Sequence, residues 1–274
     1  MDHFHPGDFK TDYLTVELRK LDPAFDGFRM VHLSDLHVGH WFSLERLAGV
    51  VSLVNQLEPD MILMTGDYIS YEMEGIVAEL KASLGAMRAR EAKIAVLGNH
   101  DHWLDEDLVI NVLHEGGFVV LSNQVYVARR GKAVLQIVGI DSAYVRKDRL
   151  PEVIDSISPA GPAILLVHEP DFADQSARSG KFELQLSGHS HGSQIVLPVI
   201  GPLLRGPHFW KYPHGLYRIK RHENFQNPCD PPNRVDAGEM LLYTNRGLGT
   251  NTLRFRFNCP PEILLITLKS VLPS

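Results

Sequence analysis

Short runs of apolar residues alternate with longer amphipathic stretches along the first two thirds of the chain. Six of these runs are apolar along most of their length, which is typical of strands that are covered on both faces in α/β proteins. The runs are Phe28–Leu33, Met61–Thr65, Ile94–Leu97, Leu135–Ile140, Ala163–His168 and Glu183–Ser187. The pattern therefore predicts an α/β fold with buried central strands.

Three stretches between the early runs place apolar residues at the spacing of an amphipathic helix. They are Leu44–Gln56, Met73–Arg90 and Asp105–Glu115. In the first stretch, Leu47, Val50 and Val54 share one face. Ser43 and Asp105 are the predicted N-caps of the first and third helices, because short polar side chains accept hydrogen bonds from the free amides of a first turn.

The helical pattern fades after residue 192, where the chain becomes rich in proline and glycine. Two further strands are predicted there, over Glu239–Thr244 and Ile263–Leu268, and residues 220–238 are predicted to form a polar loop. No internal repeat, low-complexity tract or linker-like run of charge interrupts the sequence. We therefore expect a single domain over residues 1–274.

The charge balance and the cysteines exclude several classes of protein. The 274 residues carry 27 Lys and Arg against 33 Asp and Glu, a formal net charge of −6. No nucleic-acid partner is expected, because a phosphate-backbone binder needs a basic face. The two cysteines, Cys229 and Cys259, rule out a disulfide scaffold and a CxxC metal cluster, although one bridge between them stays open.

The sequence predicts neither a signal peptide nor a membrane span. Its N-terminal residues do not combine a basic segment with an apolar stretch. The longest uncharged apolar run, Gln194–Leu204, is far shorter than the ~20 residues that a span requires. We therefore expect a cytoplasmic protein, and peripheral contact with the inner face of the membrane stays open.

Residue types that ligate metals cluster directly after the predicted strands. The five blocks are Asp35-Leu36-His37, Gly66-Asp67, Gly98-Asn99-His100-Asp101, His168 and Gly188-His189-Ser190-His191. Sites in open α/β sheets form at the carboxyl ends of strands, so these blocks are expected to meet in one crevice. The glycines of the blocks are expected where a strand turns sharply and a ligand approaches closely.

The donor set indicates the metal chemistry. Four imidazoles, two carboxylates and one amide oxygen suit Mn²⁺, Fe²⁺, Zn²⁺, Mg²⁺ or Ni²⁺. They are too many for one tetrahedral ion, but they suit two ions that share a carboxylate and clamp a phosphoryl group. A lone histidine after a strand is most often a packed or solvent-facing residue, and His32, inside the first run, is interpreted in that way.

The order SDLH, GD, GNHD, H and GHSH resembles the calcineurin-like metallophosphoesterase family over residues 28–192. This resemblance implies a four-layer α/β/β/α sandwich of two mixed sheets flanked by helices, with a dinuclear metal centre.

A closer similarity, to the bacterial YkuE/YaeI-like phosphodiesterase subgroup, covers almost the whole chain. That subgroup includes UDP-2,3-diacylglucosamine pyrophosphatases of the chlamydial type. The similarity rests on DGFRMVHLSDLHVG, LVHEPD, GHSHGSQIVLPVIGPL and NRGLGTNTLRFRFNCPPEILLITL. Ser190 and Ser193 depart from the subgroup's usual GHTHGGQ, and neither change affects a ligand.

The resemblance also implies roles for individual residues. The first metal would be held by Asp35, His37, Asp67 and His191, and the second by Asp67, Asn99, His168 and His189. His100 would protonate the leaving oxygen, and Asp101 would orient the His100 ring. A hydrogen-bonded pair with a structural role is the alternative for these two. The implied cofactors are two divalent ions, with Mn²⁺ favoured.

The candidates for substrate contact are fewer. Arg246 is selected among Arg246, Arg254 and Arg256 of the tail, because a guanidinium matches phosphate geometry. His102 and Trp103 continue the GNHD block and are expected at the rim of the site. Trp210 lies in the segment 195–212, where Leu203 and Leu204 offer further apolar surface. We expect either a hydrophobic flap that admits acyl chains or touches a bilayer, or an internal strand and turn that pack on the core.

The sequence thus predicts a dinuclear metal-dependent phosphohydrolase that cleaves a phosphodiester or pyrophosphate bond. The favoured substrate is amphipathic or lipid-linked, such as UDP-2,3-diacylglucosamine. A soluble general or cyclic-nucleotide phosphodiesterase is the alternative, and a non-catalytic metal-binding scaffold is a third hypothesis. The oligomeric state stays open.

Overall fold

The computed structural model describes residues 9–39, 41–70, 75–221, 238–251 and 253–271. Its first sheet has six strands. In spatial order they are β1 Lys10–Leu18, β14 Glu262–Ser270, β2 Arg29–Leu33, β3 Met61–Thr65, β4 Ala92–Val96 and β5 Val119–Val120. Strands β2 to β5 are parallel, so their carboxyl ends lie along one edge of the sheet.

The second sheet also has six strands. In spatial order they are β12 Gly215–Lys220, β13 Glu239–Thr244, β9 Leu184–Ser187, β8 Ala163–Leu166, β7 Ala133–Gly139 and β6 Gln124–Arg130. Strands β13, β9, β8 and β7 are parallel, whereas the outer strands β12 and β6 pair antiparallel. Nδ1 of His168, just after β8, lies 2.6 Å from the carbonyl oxygen of Thr65, at the end of β3. The carboxyl edges of the two sheets therefore meet.

Six α-helices flank the two sheets in the described part of the chain. They are α1 Leu44–Gln56, α2 Val77–Ala86, α3 Asn99–Leu104, α4 Glu106–Glu115, α5 Leu150–Ile154 and α6 Ala173–Arg178. Buried residues of α1, α2 and α4 pack on the outer face of the first sheet. Those of α5 and α6 pack on the outer face of the second sheet. A third cluster fills the space between the sheets, so the predicted four-layer α/β/β/α arrangement is confirmed.

Alternation within the strands explains why their sequences are apolar on both faces. In β3, Met61 and Leu63 point between the sheets, whereas Ile62 and Met64 point toward the helices. Each strand of this kind supplies two cores at once, because successive side chains point to opposite faces. His32 of β2 is fully buried, and its Nε2 lies 2.9 Å from Oγ1 of Thr65. It is a packed residue, as interpreted from the sequence.

Several predicted boundaries agree with the structure. The bounds of α1, β3 and β13 are those predicted. Ser43 is the N-cap of α1, as predicted, because its hydroxyl accepts a hydrogen bond from the amide of Arg46 at 3.2 Å. The Asp105 carboxylate caps α4 through the amide of Leu108 at 3.1 Å. The helix predicted over Met73–Arg90 is shorter, running from Val77 to Ala86.

Parts of other predictions lie outside the described residues. These include most of the polar loop predicted over 220–238, together with Cys229, so a bridge to the buried Cys259 stays open. Within the part of the chain that is described, no helix has both the length and the apolar composition needed to cross a bilayer.

Candidate metal centre

The first group of candidate ligands joins the ends of β2 and β9. Asp35 and His37 follow β2, and His191 follows β9. One ligand atom from each residue lies within 4.8 Å of the others. Nε2 of His191 is 3.4 Å from Oδ1 of Asp35, and the rings of His37 and His191 stack with centroids 4.9 Å apart. All three side chains are buried, as the sequence blocks predict for one crevice.

The second group joins the ends of β3, β8 and β9. Asp67, His168 and His189 again bring one ligand atom each within 4.8 Å of the others. Oδ2 of Asp67 lies 3.2 Å from Nε2 of His168 and 3.4 Å from Nε2 of His37. Because His37 belongs to the first group, the Asp67 carboxylate lies between the two groups, where a shared ligand would be.

Backbone carbonyls fix the tautomers of two of these imidazoles. Nδ1 of His168 donates to the carbonyl of Thr65 at 2.6 Å, and its Nε2 points toward Oδ2 of Asp67 at 3.2 Å. Nε2 of His189 donates to the carbonyl of Pro207 at 3.2 Å, so its Nδ1 carries the lone pair, and this atom lies 3.1 Å from Nε2 of His168. Histidine ligands commonly give their second N–H to a carbonyl in this way, so both rings are oriented for metal binding.

Buried ligand atoms that lack a hydrogen-bond partner test whether the residues suit a metal. Among the described residues, the buried atoms without a hydrogen-bond partner include Nε2 of His37, Oδ1 of Asn99 and both ring nitrogens of His191. Native interiors rarely leave such atoms unpaired. These four atoms, unlike the others, belong to residues of the implied ligand set, and divalent cations bind such nitrogen and oxygen donors. The residues therefore suit a pair of divalent ions.

The backbone around the ligands is strained and closely packed. Five of the seven candidate ligands have a left-handed backbone, namely Asp35, His37, Asp67, His189 and His191, with φ between 45° and 67°. Such conformations are costly for residues other than glycine and are concentrated at functional sites. Glycine is required beside them: a Cβ on Gly98 would overlap Oδ1 of Asp67, and one on Gly188 would overlap the Asp35 carboxylate.

Burial and neighbouring charges set the protonation of the ligands. Burial lowers the pKa of His189 to about 3, and repulsion from His168 acts in the same direction. Burial, with repulsion from His37, holds the pKa of His191 well below its ordinary value. Burial alone would raise the pKa of Asp67, but the His168 and His37 imidazoles outweigh it and hold that pKa well below its usual range. Burial alone would lower the pKa of His168, but the Asp67 carboxylate outweighs it and holds that pKa well above its ordinary value. His189, His191 and Asp67 are therefore in the forms that bind a metal, whereas His168 would release a proton as an ion binds.

His100 lies at the edge of this cluster. Its ring is perpendicular to that of His37 at a centroid distance of 4.7 Å, and its backbone N–H donates to Oδ1 of Asp67 at 2.9 Å. A ring nitrogen of His100 also lies within 4.8 Å of ligand atoms of His37 and Asp67. Burial lowers the pKa of His100 to about 4.

The contacts of Asp101 differ from the expectation that it orients the His100 ring. Its carboxylate accepts hydrogen bonds from three backbone amides, those of Asp67 and Gly98 at 2.8 Å and of Tyr68 at 2.9 Å. Three amide donors aimed at one carboxylate leave it directed at the backbone rather than at an imidazole. Asp101 therefore holds the Asp67 loop in place, and the expected role is corrected.

Two candidates for substrate contact are also corrected. The guanidinium of Arg246 is bound by carboxylates: its Nε donates to Glu262 at 3.1 Å and its Nη2 to Asp12. The ring of His102 lies between Oε2 of Glu106 at 3.0 Å and Oδ1 of Asp141 at 2.7 Å, with only 5% of its side chain exposed. Carboxylates thus occupy both ring nitrogens of His102 and two nitrogens of the Arg246 guanidinium.

The segment 195–212 is exposed rather than packed on the core. It forms a small hairpin of β10 Val196–Leu197 and β11 Gly201–Pro202, followed by an irregular stretch. Leu203, Leu204 and Trp210 are 52%, 40% and 62% exposed. This exposure contradicts the alternative of an internal strand and turn.

A small cleft of about 140 Å³ joins this segment to the candidate ligands. Leu204, Phe209 and Leu253 line it together with His189 and His191. Phe255 and Phe257 are half exposed nearby in the chain, and the carbonyl of Phe257 accepts a hydrogen bond from the amide of Val196. We call the exposed residues Leu203, Leu204, Trp210, Leu253, Phe255 and Phe257 the apolar rim.

Tyr144 and Glu169 were not predicted from the sequence. Tyr144 follows β7, and its ring lies 5.6 Å from that of His189. Glu169 follows His168 and accepts a hydrogen bond from the amide of Tyr144 at 3.0 Å. Both residues follow predicted strands, as the ligands do, but neither belongs to the five blocks that predict the metal site.

The chain is similar in sequence to known phosphoesterases. The model of the family described as calcineurin-like phosphoesterase matches residues 28–193, which include all seven candidate ligands. The uncharacterised metallophosphoesterase YkuE of Bacillus subtilis is 33% identical, covering 98% of this chain and 88% of YkuE. Phosphodiesterase YaeI of Escherichia coli is 26% identical, covering 88% of this chain and 82% of YaeI. UDP-2,3-diacylglucosamine pyrophosphatase LpxG of Chlamydia muridarum is 25% identical, covering 97% of this chain and 91% of LpxG.

Proposed function

This chain belongs to the calcineurin-like phosphoesterase family, and we propose that it hydrolyses a phosphodiester or pyrophosphate bond with two divalent ions, favouring Mn²⁺. The observation that carries the proposal is the position of Asp67 between two groups of buried imidazoles and carboxylates. The unpaired atoms of His37, Asn99 and His191 support it independently. A scaffold without metal chemistry would gain nothing from leaving these acceptors unpaired.

Each residue of the centre has a proposed task. Asp35, His37, Asp67 and His191 would hold one ion, and Asp67, Asn99, His168 and His189 the other. Two ions held there supply charge to clamp the phosphoryl oxygens and to acidify a water. Asp101 and the glycines keep the ligand loops in their strained conformations, so the donors are in place before substrate binds.

His100 is proposed as the proton donor to the leaving oxygen. Its ring borders the ligands His37 and Asp67 without being required by either set of four. Burial lowers its pKa to about 4, and an anionic phosphate bound beside the ring would raise that pKa toward the working range. General acid catalysis of this kind contributes ~10²–10⁴-fold.

The substrate class is proposed to be amphipathic or lipid-linked. The cleft that touches His189 and His191 is lined on its other side by Leu204, Phe209 and Leu253. An acyl chain attached near the scissile phosphate would leave the metal centre along this cleft and lie on the apolar rim. The similarity to LpxG, whose name includes UDP-2,3-diacylglucosamine, supports the same class.

Peripheral contact with a membrane follows from the same surface, and we include it in the proposal. Exposed apolar side chains beside a reaction centre are costly in water and are typical of proteins that meet a lipid or a membrane. Arg205, with its guanidinium 5.8 Å from the centroid of the Trp210 ring, would face anionic head groups. The proposed contact is with the cytoplasmic face of the membrane, the location expected from the sequence.

Metal analysis combined with a hydrolysis assay tests the proposal. Protein freed of metal with a chelator should be inactive on bis-p-nitrophenyl phosphate and should regain activity with Mn²⁺. Elemental analysis should then find two ions per chain. One ion per chain at full activity, or hydrolysis that persists without metal, would contradict the proposal.

A further inference from the structure

A row of aromatic rings borders the candidate metal centre on the side of His100. The ring of Trp103 lies 4.9 Å from that of His100, and Tyr144 meets the indole edge to face at 5.4 Å. Tyr144 also contacts His189 at 5.6 Å and His208 at 5.3 Å. The row therefore runs from the proposed proton donor to a proposed metal ligand.

Trp103 is exposed although its neighbours in the site are buried. Its indole is 56% exposed, whereas the adjoining His100 is 6% exposed. An indole presents a large polarisable face, and another planar ring stacks on such a face favourably. A substituent that is attached to phosphorus and extends toward His100 would lie directly over this surface.

The element that carries Trp103 is clamped to the loop that carries Tyr144. His102 of α3 bonds through Nε2 to Asp141 at 2.7 Å and through Nδ1 to Glu106 at 3.0 Å. The carboxylate of Asp141 also accepts a hydrogen bond from the amide of Ser142 at 2.7 Å. The side chain of His102, which was expected at the rim, thus connects helix α3, which carries Trp103, to the loop that carries Tyr144.

A buried carboxylate fixes the other half of the row. Glu169 is fully buried and accepts hydrogen bonds from the amides of Ala143 and Tyr144, both at 3.0 Å. It also accepts one from the hydroxyl of Ser142. Fixing the rings in advance reduces the entropy lost when a ligand stacks on them. An aromatic residue that only inserts into a lipid bilayer would not need its ring to be held in one position.

We propose that Trp103 and Tyr144 form a stacking subsite for the base of a nucleotide-containing substrate. The proposal rests on the proposed function, because it takes the metal centre as the position of the phosphate. In a nucleoside 5′-phosphate only the ribose separates base and phosphate, so a base on the aromatic row and a phosphate at the ligands belong to one molecule. The preferred substrates are therefore nucleoside phosphate esters, with any acyl chain directed to the apolar rim.

A matched pair of substrates tests the subsite. The methyl ester of uridine 5′-phosphate and the methyl ester of glycerol 3-phosphate share the methyl diester and differ in the presence of a base. Trp103→Ala should raise KM for the uridine ester about 5- to 150-fold, the range that loss of one base–aromatic stack gives. It should leave KM for the glycerol ester within about twofold, as followed by ³¹P NMR. Trp103→Phe should restore most of the preference, because a phenyl ring still stacks.

Equilibrium binding supplies a readout that does not depend on turnover. Calorimetric titration with UMP and with glycerol 3-phosphate, in the presence of Mn²⁺, should show that Trp103→Ala weakens UMP binding by about the same factor and leaves glycerol 3-phosphate unchanged. Tyr13→Ala is the control, since Tyr13 is 72% exposed on β1 and forms no part of the site.

The outcomes separate this proposal from the one on which it rests. If the wild-type protein hydrolyses neither ester, the proposed function fails, and the UMP titration still decides whether the stacking subsite exists. If Trp103→Ala changes both esters equally, or leaves UMP affinity unchanged, the subsite is refuted. A variant that loses binding to anionic vesicles but retains its preference for UMP would make Trp103 a membrane contact, which also overturns the proposal.

Discussion

The metal centre and the apolar rim next to it are built in opposite ways. The candidate ligands Asp35, His168 and Asn99 are at most 2% exposed, and their loops are held by backbone hydrogen bonds and strained conformations. The rim exposes Leu203 and Trp210 by more than half. The first region fixes a reaction that requires exact distances between charged groups. The second offers adaptable surface, which suits the choice of substrate rather than the chemistry.

This difference predicts how mutations should separate the two regions. A change in the centre should affect every substrate, because all of them meet the same ions. A change in the rim should affect only those substrates that reach it. The experiments below test this separation, beginning with the largest expected effect.

Replacing the carboxylate between the two ligand groups should have the largest effect. Asp67→Ala removes the negative charge that would separate two cations, so we expect loss of at least one ion and a fall in turnover of at least ~10⁴-fold on all substrates. Elemental analysis and hydrolysis of bis-p-nitrophenyl phosphate measure both quantities. Asp107→Ala, on the exposed face of α4, is the matched control and should retain both ions. Two ions per chain with unchanged turnover in Asp67→Ala would refute the shared ligand.

Removing the proposed proton donor should affect turnover but not metal content. His100→Asn should retain both ions and lose ~10²–10⁴-fold in kcat on esters with poor leaving groups. The loss should shrink for p-nitrophenyl esters, whose leaving oxygen needs little protonation. The measurement is a plot of log kcat against leaving-group pKa for both proteins. Parallel plots would show that His100 is not the acid, and loss of an ion would make it a ligand.

Changing the apolar rim should affect only acylated substrates. We expect Leu203, Leu204 and Trp210, replaced together by Ser, to reduce hydrolysis of an acylated phosphodiester about tenfold, since three exposed apolar contacts are lost. Hydrolysis of a water-soluble diester should hardly change, because the ligands are untouched. Replacing the exposed Val119 and Val127 by Ser tests whether any loss of apolar surface has the same effect. Equal losses on both substrates, or a lowered melting temperature, would assign the segment to structural support.

The same contrast explains what could be predicted from the sequence. Buried strands such as β3 and helices such as α1 are visible because every residue obeys one periodic pattern. The candidate ligands are visible because the carboxyl ends of parallel strands converge, which turns five distant blocks into one crevice. Edge strands such as β6 and β12 were missed, since they are half exposed and their alternation of polar and apolar residues is weak.

The partners of individual polar side chains could not be predicted. Arg246 and His102 were expected to meet substrate, but each is bound by two carboxylates, of which Asp12 and Asp141 come from distant parts of the chain. Sequence distance carries no information about such pairs, because they form only when the sheets and helices pack. Asp101 is a local example of the same limit, since three free amides compete for its carboxylate more effectively than a ring does.

The smallest effect concerns a histidine outside the centre and tests where the centre ends. Burial lowers the pKa of His32 from 6.5 to about 3, so the unfolded chain binds a proton there between these values and the folded protein does not. The free energy of unfolding should therefore fall as the pH falls from 6.5 toward 3, by about 1.4 kcal/mol per pH unit for this group. His32→Gln should remove that contribution and reduce the difference between urea unfolding at pH 7.5 and at pH 5 by about 2 kcal/mol. Its metal content should not change.

His114→Gln, at an exposed position of α4, is the control and should keep the wild-type difference. An unaltered difference in His32→Gln, or the loss of an ion, would mean that His32 belongs to the metal centre or is not buried in its neutral form.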